Sequence, residues 1–177
     1  IIHYLDDTEH NNLTHISSLQ RIFPESYVWM DRFTMKNLEL FNSNSINGFN
    51  LSDTIDETIT SMGSRKLKSW IAFPLIDKKE IKKRQEIVQS IMSDDEISRL
   101  LDINLNNISD IERLMSKIAT YKISPRELVN LKSSLENVDL IKDSLLVYSG
   151  VLKNYGKSLP NSKSIIGAIS KTLKDDS

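Results

Sequence analysis

The chain has 177 residues, 39% of them apolar and 27% charged, with 5 Gly, 4 Pro and no Cys. Lys and Arg number 23 against 24 acids, a net charge of −1, so no global field advertises a nucleic-acid or membrane partner. The missing thiols exclude disulfides, thiolate nucleophiles and cysteine-based zinc sites, and so little Gly and Pro disfavours a fold of many short strands.

Residues 1–9 read as the last turns of a helix. The chain opens on Ile1-Ile2-His3-Tyr4-Leu5 without Met and ends on Lys174-Asp175-Asp176-Ser177, so a segment of a longer protein is expected. No clear period runs as far as Phe23-Pro24-Glu25. Tyr27-Val28-Trp29-Met30 is short and rich in β-favouring side chains, which makes it the strand candidate. Met35, Leu38 and Phe41 share one helical face, and Asn42–Asn50 is a polar loop with a Gly. Leu51 and Ile55 open a helical pattern that Leu67, Trp70 and Ile71 continue. Pro74 should end it, because it biases Phe73 away from the αR region.

Asp77 is placed to cap the next helix with Glu80 three residues on, and Ile81, Val88, Ile91 and Met92 form its expected buried stripe. Ser93-Asp94-Asp95-Glu96 puts acids at the positive end of another helix. Ser109 to Glu112 fits a capping box, followed by Ile111, Leu114, Met115 and Ile118. Ser124-Pro125-Arg126-Glu127 fits better still, with cap, Pro at the first helical position and Glu at the third. Behind it Leu128, Leu131, Leu135, Val138, Ile141, Leu145 and Leu146 make a seam along one side. Unbroken to Tyr148, that helix would extend about 35 Å. Gly150, Gly156 and Pro160 interrupt the pattern, and Ile165, Ile166, Ile169 and Leu173 mark a last helix. No apolar run approaches the length of a spanning helix, and the residues at the start show no basic region followed by an apolar stretch. The expected fold class is all-α, a multi-helix bundle with at most one short strand near the N-terminus.

Candidate chemistry is sparse. His3, His10 and His15 are the histidines, and the five-residue step between the last two does not fit the four-residue step of a zinc-protease helix. Asp6-Asp7, Asp94-Asp95 and Asp175-Asp176 are adjacent pairs, which do not face one another on a helix and make poor acid–base dyads. Met62-Gly63-Ser64 lacks the second Gly of a nucleophile elbow, and no glycine-rich phosphate cradle is present. Residues 65–84 hold Arg65, Lys66, Lys68, Lys78, Lys79, Lys82, Lys83 and Arg84 against Asp77 and Glu80. That bias could meet phosphate, but without interleaved aromatics it fits lysines on a wet helix face. No catalytic, cofactor-binding or metal-binding residue is assigned.

Three blocks together resemble one family. Met30-Asp31, Thr34 and Asn37-Leu38-Glu39-Leu40 form the first. The second is Leu51 to Leu75, centred on Met62-Gly63-Ser64-Arg65, Leu67, Trp70 and Pro74-Leu75. The third runs through Asp77, Ile81, Arg84 and Val88 to Ile108, Asp110-Ile111-Glu112-Arg113-Leu114 and Ile118. Their order and spacing resemble the core, or lever, domain of MutS-type DNA mismatch-recognition ATPases, most clearly from Tyr27 to Leu135.

The resemblance implies a parent with mismatch-binding, connector, core, clamp and ATPase domains, the clamp being inserted in the core. Residues 1–26 would then be the tail of the connector domain and its linker, and 27–177 the first half of the core. The parent would bind mismatched double-stranded DNA, use ATP and Mg, form a homodimer and work in the cytoplasm. This segment would relay signals between the other domains without catalysis or cofactor of its own. With no phosphate-binding loop here, ATPase residues have nowhere to map. Phe23-Pro24-Glu25 has the letters of the family's mismatch-reading Phe-x-Glu but lies directly before the core block, and is read as coincidence. The alternative is a free-standing helical scaffold or adaptor that binds a protein partner through the Leu128–Leu146 face.

Overall fold

The computed structural model of the chain describes residues 26–173. The expected helix end over 1–9, the three histidines, Asp6-Asp7, Phe23-Pro24-Glu25 and Asp175-Asp176 lie outside the described residues. Among the described residues there are nine helices and no strand.

The first layer contains α1 (Arg32–Asn37), α2 (Leu51–Ile55) and α3 (Ser61–Ala72). Asp31 caps α1 by accepting from the Thr34 N–H at 2.6 Å. The helix stops at Asn37, and Glu39 takes a left-handed φ of 50°. The expected face of Met35, Leu38 and Phe41 is therefore broken, leaving Leu38 exposed while Leu40 is buried.

The expected strand at Tyr27–Met30 amounts to one antiparallel bridge between Tyr27 and Leu75. Val28 N–H donates to the Pro74 carbonyl at 2.8 Å and Ile76 N–H to the Ser26 carbonyl at 3.3 Å. Pro74 has no N–H to return and Asp77 already caps the next helix, so the partner segment is too short for a ladder. Farther along, the N–H groups of Leu51 and Ser52 donate to the Glu39 and Leu40 carbonyls, each at 2.9 Å, and tie the loop to α2. The pattern from Leu51 to Ile71 is two helices rather than one, because Asp56 leaves helical geometry at ψ 85°. Pro74 acts as expected: α3 closes at Ala72, and Phe73 sits at φ −129°, ψ 71°.

The second layer is a bundle of α4 (Lys78–Met92), α5 (Asp95–Asn106), α6 (Ile111–Ala119), α7 (Pro125–Val147), α8 (Gly150–Ser158) and α9 (Lys163–Thr172). Asp77 caps α4 as the sequence suggests, and the expected acids stand at the start of α5, where Asp94 proves to be the cap. The stripe on α4 is rotated from its expected register. Ile81, Ile87 and Ile91 are half-buried, whereas Val88 and Met92 are exposed. The cap of α6 is Asp110, one residue later than expected, accepting from Arg113 N–H at 3.1 Å. Ser109 instead gives its own N–H to the Ser134 hydroxyl at 3.0 Å.

Helix α7 carries the full capping box, Ser124 and Glu127 each satisfying the other's backbone N–H. Its seam is the spine of the bundle, covered by α5, α6, α8 and α9. Leu131, Ile141 and Leu145 are buried, and Ile97 and Leu152 meet the latter two in the core. Leu135 is half-buried; at that turn Ser134 is the fully buried residue. Gly150 and Gly156 do more than interrupt the pattern. Gly150, at φ 62°, reverses the chain into α8, and Gly156 lets α8 cross α7 closely. A Cβ at Gly156 would lie 2.9 Å from Leu145 Cβ.

Candidate functional site: the junction of the motif blocks

The second and third sequence blocks meet at the N-termini of α3 and α6. Thr60 caps α3 by accepting from Gly63 N–H at 3.0 Å. Gly63 sits close to this turn, since a Cβ there would be 3.1 Å from Thr60 Oγ1 and 3.3 Å from Thr58 Cβ. Ser64 donates its hydroxyl to Asp56, which also accepts from the N–H and hydroxyl of Thr58. Those donors, Ser64 first and Thr58 next, hold the Asp56 carboxyl below its ordinary range. The Met62-Gly63-Ser64 run is thus a capped corner, and it presents Arg65.

Arg65 uses four of its five donors on two carboxylates. Its Nη1 and Nη2 reach the two oxygens of Asp110 at 2.9 and 2.7 Å. Its Nε and Nη2 reach Glu112 Oε2 at 2.9 and 2.6 Å. A planar fork matches this arrangement as a lysine ammonium would not. Asp110 meanwhile caps α6, so one carboxylate closes a helix end and holds a distant cation. The Arg65 hydrogen bonds are the main reason its carboxyl sits below the ordinary range. The same bonds push the Arg65 guanidinium upward.

Next to this junction lies a groove of about 760 Å³. Met62 and Trp70 of α3 line one wall; Ile87 and Val88 of α4, Leu105 of α5 and Tyr155 of α8 line the other. Arg84 reaches across from α4, with its guanidinium carbon 3.9 Å from the Trp70 ring centroid. The basic stretch is therefore divided in its roles. Arg65 and Arg84 hold the two layers, and Lys83 faces Glu80 at 3.8 Å. Lys66, Lys68, Lys78, Lys79 and Lys82 sit on exposed faces.

A second polar node closes the other side of the bundle. Lys117 of α6 pairs with Glu127 of the α7 capping box. Lys117 first and the Ser124 N–H second lower the Glu127 carboxyl to about 2. At the far end of α7, burial and then a hydrogen bond with Asp94 push the Tyr148 phenol up.

Sequence reasoning counted Arg65 with the basic stretch and missed its partners, which lie 45 and 47 residues away. No periodicity spans that gap. The available signal was the joint membership of Arg65 and Asp110-Ile111-Glu112 in the resemblance.

The MutS domain III family matches residues 33–176. The chain belongs to the MutS domain III family. It is 43% identical to the DNA mismatch repair protein MutS of Christiangramia forsetii over 177 residues, covering 99% of this chain and 20% of that protein. The MutS of Flavobacterium johnsoniae is 44% identical over the same share of each, and that of Phocaeicola vulgatus 40%. The chain thus spans about a fifth of the length of these MutS relatives. Among the described residues no helix is long and apolar enough to cross a membrane, and no group of His, Cys, Asp or Glu could hold a metal.

Proposed function

We propose that this chain is a structural relay segment of a MutS-type mismatch-repair ATPase, without a catalytic centre of its own. Residues 27–177 are the first half of a core domain, and 1–26 lead in from the connector. In this reading the parent binds mismatched double-stranded DNA, uses ATP with Mg, and acts as a cytoplasmic homodimer. The observation that carries the proposal is the MutS domain III match over 33–176, across both blocks that Arg65 clasps. The apolar groove supports it, because half a domain leaves an inner face for the remainder of that domain to fill. The scaffold reading loses its surface, since Leu131, Ile141 and Leu145 of the Leu128–Leu146 face are buried within the bundle.

A chimera tests the proposal. The matching segment of the Christiangramia forsetii MutS is replaced by this chain, and the product is expressed in a strain lacking MutS. A folded chimera with normal basal ATPase should bring the mutation rate back towards wild type. A folded, ATPase-active chimera that leaves the mutation rate at the deletion level would contradict the reading.

A further inference from the structure

We propose that Arg65 is a latch whose ion pairs with Asp110 and Glu112 set how far the α1–α3 layer stands from the α4–α9 bundle. The inference is independent of the proposed function.

Close helix packing among the described residues falls into two sets: α2 on α3, and α4 to α9 with one another. The first layer is sewn together by its own backbone bonds, from Ser26 to Ile76, Val28 to Pro74, Leu51 to Glu39 and Ser52 to Leu40. The second is welded by its apolar core. Between them lies the 760 Å³ groove. Among the described residues, besides the covalent link over 73–77, two cationic contacts bridge it: Arg65 on Asp110 and Glu112, and Arg84 over Trp70.

Both ends of the Arg65 bridge are stiff. The corner that presents Arg65 is capped by Thr60 and braced by Ser64 on Asp56. Its receiver, Asp110, is fixed by the α6 backbone it caps. Arg65 and Glu112 are exposed, with side-chain accessibilities of 48% and 68%, and Asp110 keeps 20%, so water reaches the contact. Exposed pairs are weakened by salt, whereas buried apolar packing is not. A stiff layer joined to a stiff bundle by a wet bidentate fork can therefore open at the fork while both sides stay folded. Opening there widens the groove.

The test uses the absence of Cys in the chain. Thiols introduced by Lys66→Cys on α3 and Ser133→Cys on α7 are spin-labelled, and pulsed electron paramagnetic resonance measures the distance across the groove. A second pair, Ser133→Cys with Lys153→Cys on α8, reports on the bundle alone. The unsubstituted Arg65 background should give a narrow distribution for both pairs. Arg65→Ala should at least double the width across the groove and leave the bundle pair unchanged. Arg65→Lys, which keeps charge but loses the fork, should also broaden it. Salt at 1 M in the Arg65 background should do the same, and this arm decides the matter if Arg65→Ala fails to fold. An unchanged width across the groove in 1 M salt, or equal broadening of both pairs, overturns the latch.

Discussion

At the scale of single residues, polar groups set the joints of this chain and apolar groups fill it. Ser134 is fully buried on the α7 seam, donating to the Asn130 carbonyl at 2.8 Å and accepting from Ser109 N–H at 3.0 Å. It thereby fixes the approach to α6, whose cap is the next residue. Ser134→Ala removes that acceptor and should cost about 1–3 kcal/mol, read from a urea melt as a lower midpoint at unchanged slope. Glu127 gives a prediction of a different kind. Its carboxyl is lowered from an ordinary 4.5 to about 2, chiefly by Lys117. A depressed folded-state value means the ion pair adds stability above pH 4.5 and loses it as pH falls through about 2. Glu127→Gln keeps the cap in neutral form. Its melting point should lie below wild type at pH 7, and the difference should close by pH 2; a difference independent of pH would exclude the Lys117 pair as its source.

At the scale of elements, Gly156 of α8 and Gly167 of α9 separate packing from propensity. A Cβ on Gly156 would meet Leu145 Cβ at 2.9 Å and the Lys142 carbonyl at 3.3 Å, while one on Gly167 meets nothing within 4 Å. Gly156→Ala should therefore push α8 off α7 at a cost of about 1–3 kcal/mol. Gly167→Ala, in an open helical position, should stabilise by about 0.4–1 kcal/mol. Opposite shifts in thermal melts check both at once. The same contrast explains what was legible in the sequence. The caps at Asp77 and Ser124, the acids at the start of α5 and the stop at Pro74 act within a few residues, so local chemistry revealed them. Val88 and Met92 have the right spacing for a buried stripe, but which arc of α4 is covered depends on α5 and α8, and spacing does not encode that. The α6 cap lies at Asp110 rather than Ser109, whose N–H is held by Ser134, 25 residues away. Gly156 reads as a helix breaker until α7 lies against it.

On the scale of the whole molecule, the chain is two layers joined by cations over an apolar groove, with α7 as the spine of the larger one. Its helical class and family were legible because helix periodicity is local and the three blocks keep their order. The groove and the Arg65 junction were not, since both arise where segments far apart in sequence come together. The central claim is that this segment relays rather than reads or reacts. Leu131 is 1% exposed in the N-terminal third of the α7 seam, and Leu131→Ala in the full-length parent should cost about 2–5 kcal/mol locally through the cavity it opens. The direct test measures mismatch affinity, basal ATPase and mismatch-dependent nucleotide exchange on one folded sample of that variant. The account predicts near-normal affinity and basal turnover, with the control of exchange by mismatched DNA weakened by about 0.5–2 kcal/mol. Full control of exchange in a variant shown by thermal melting to be folded yet destabilised would contradict it.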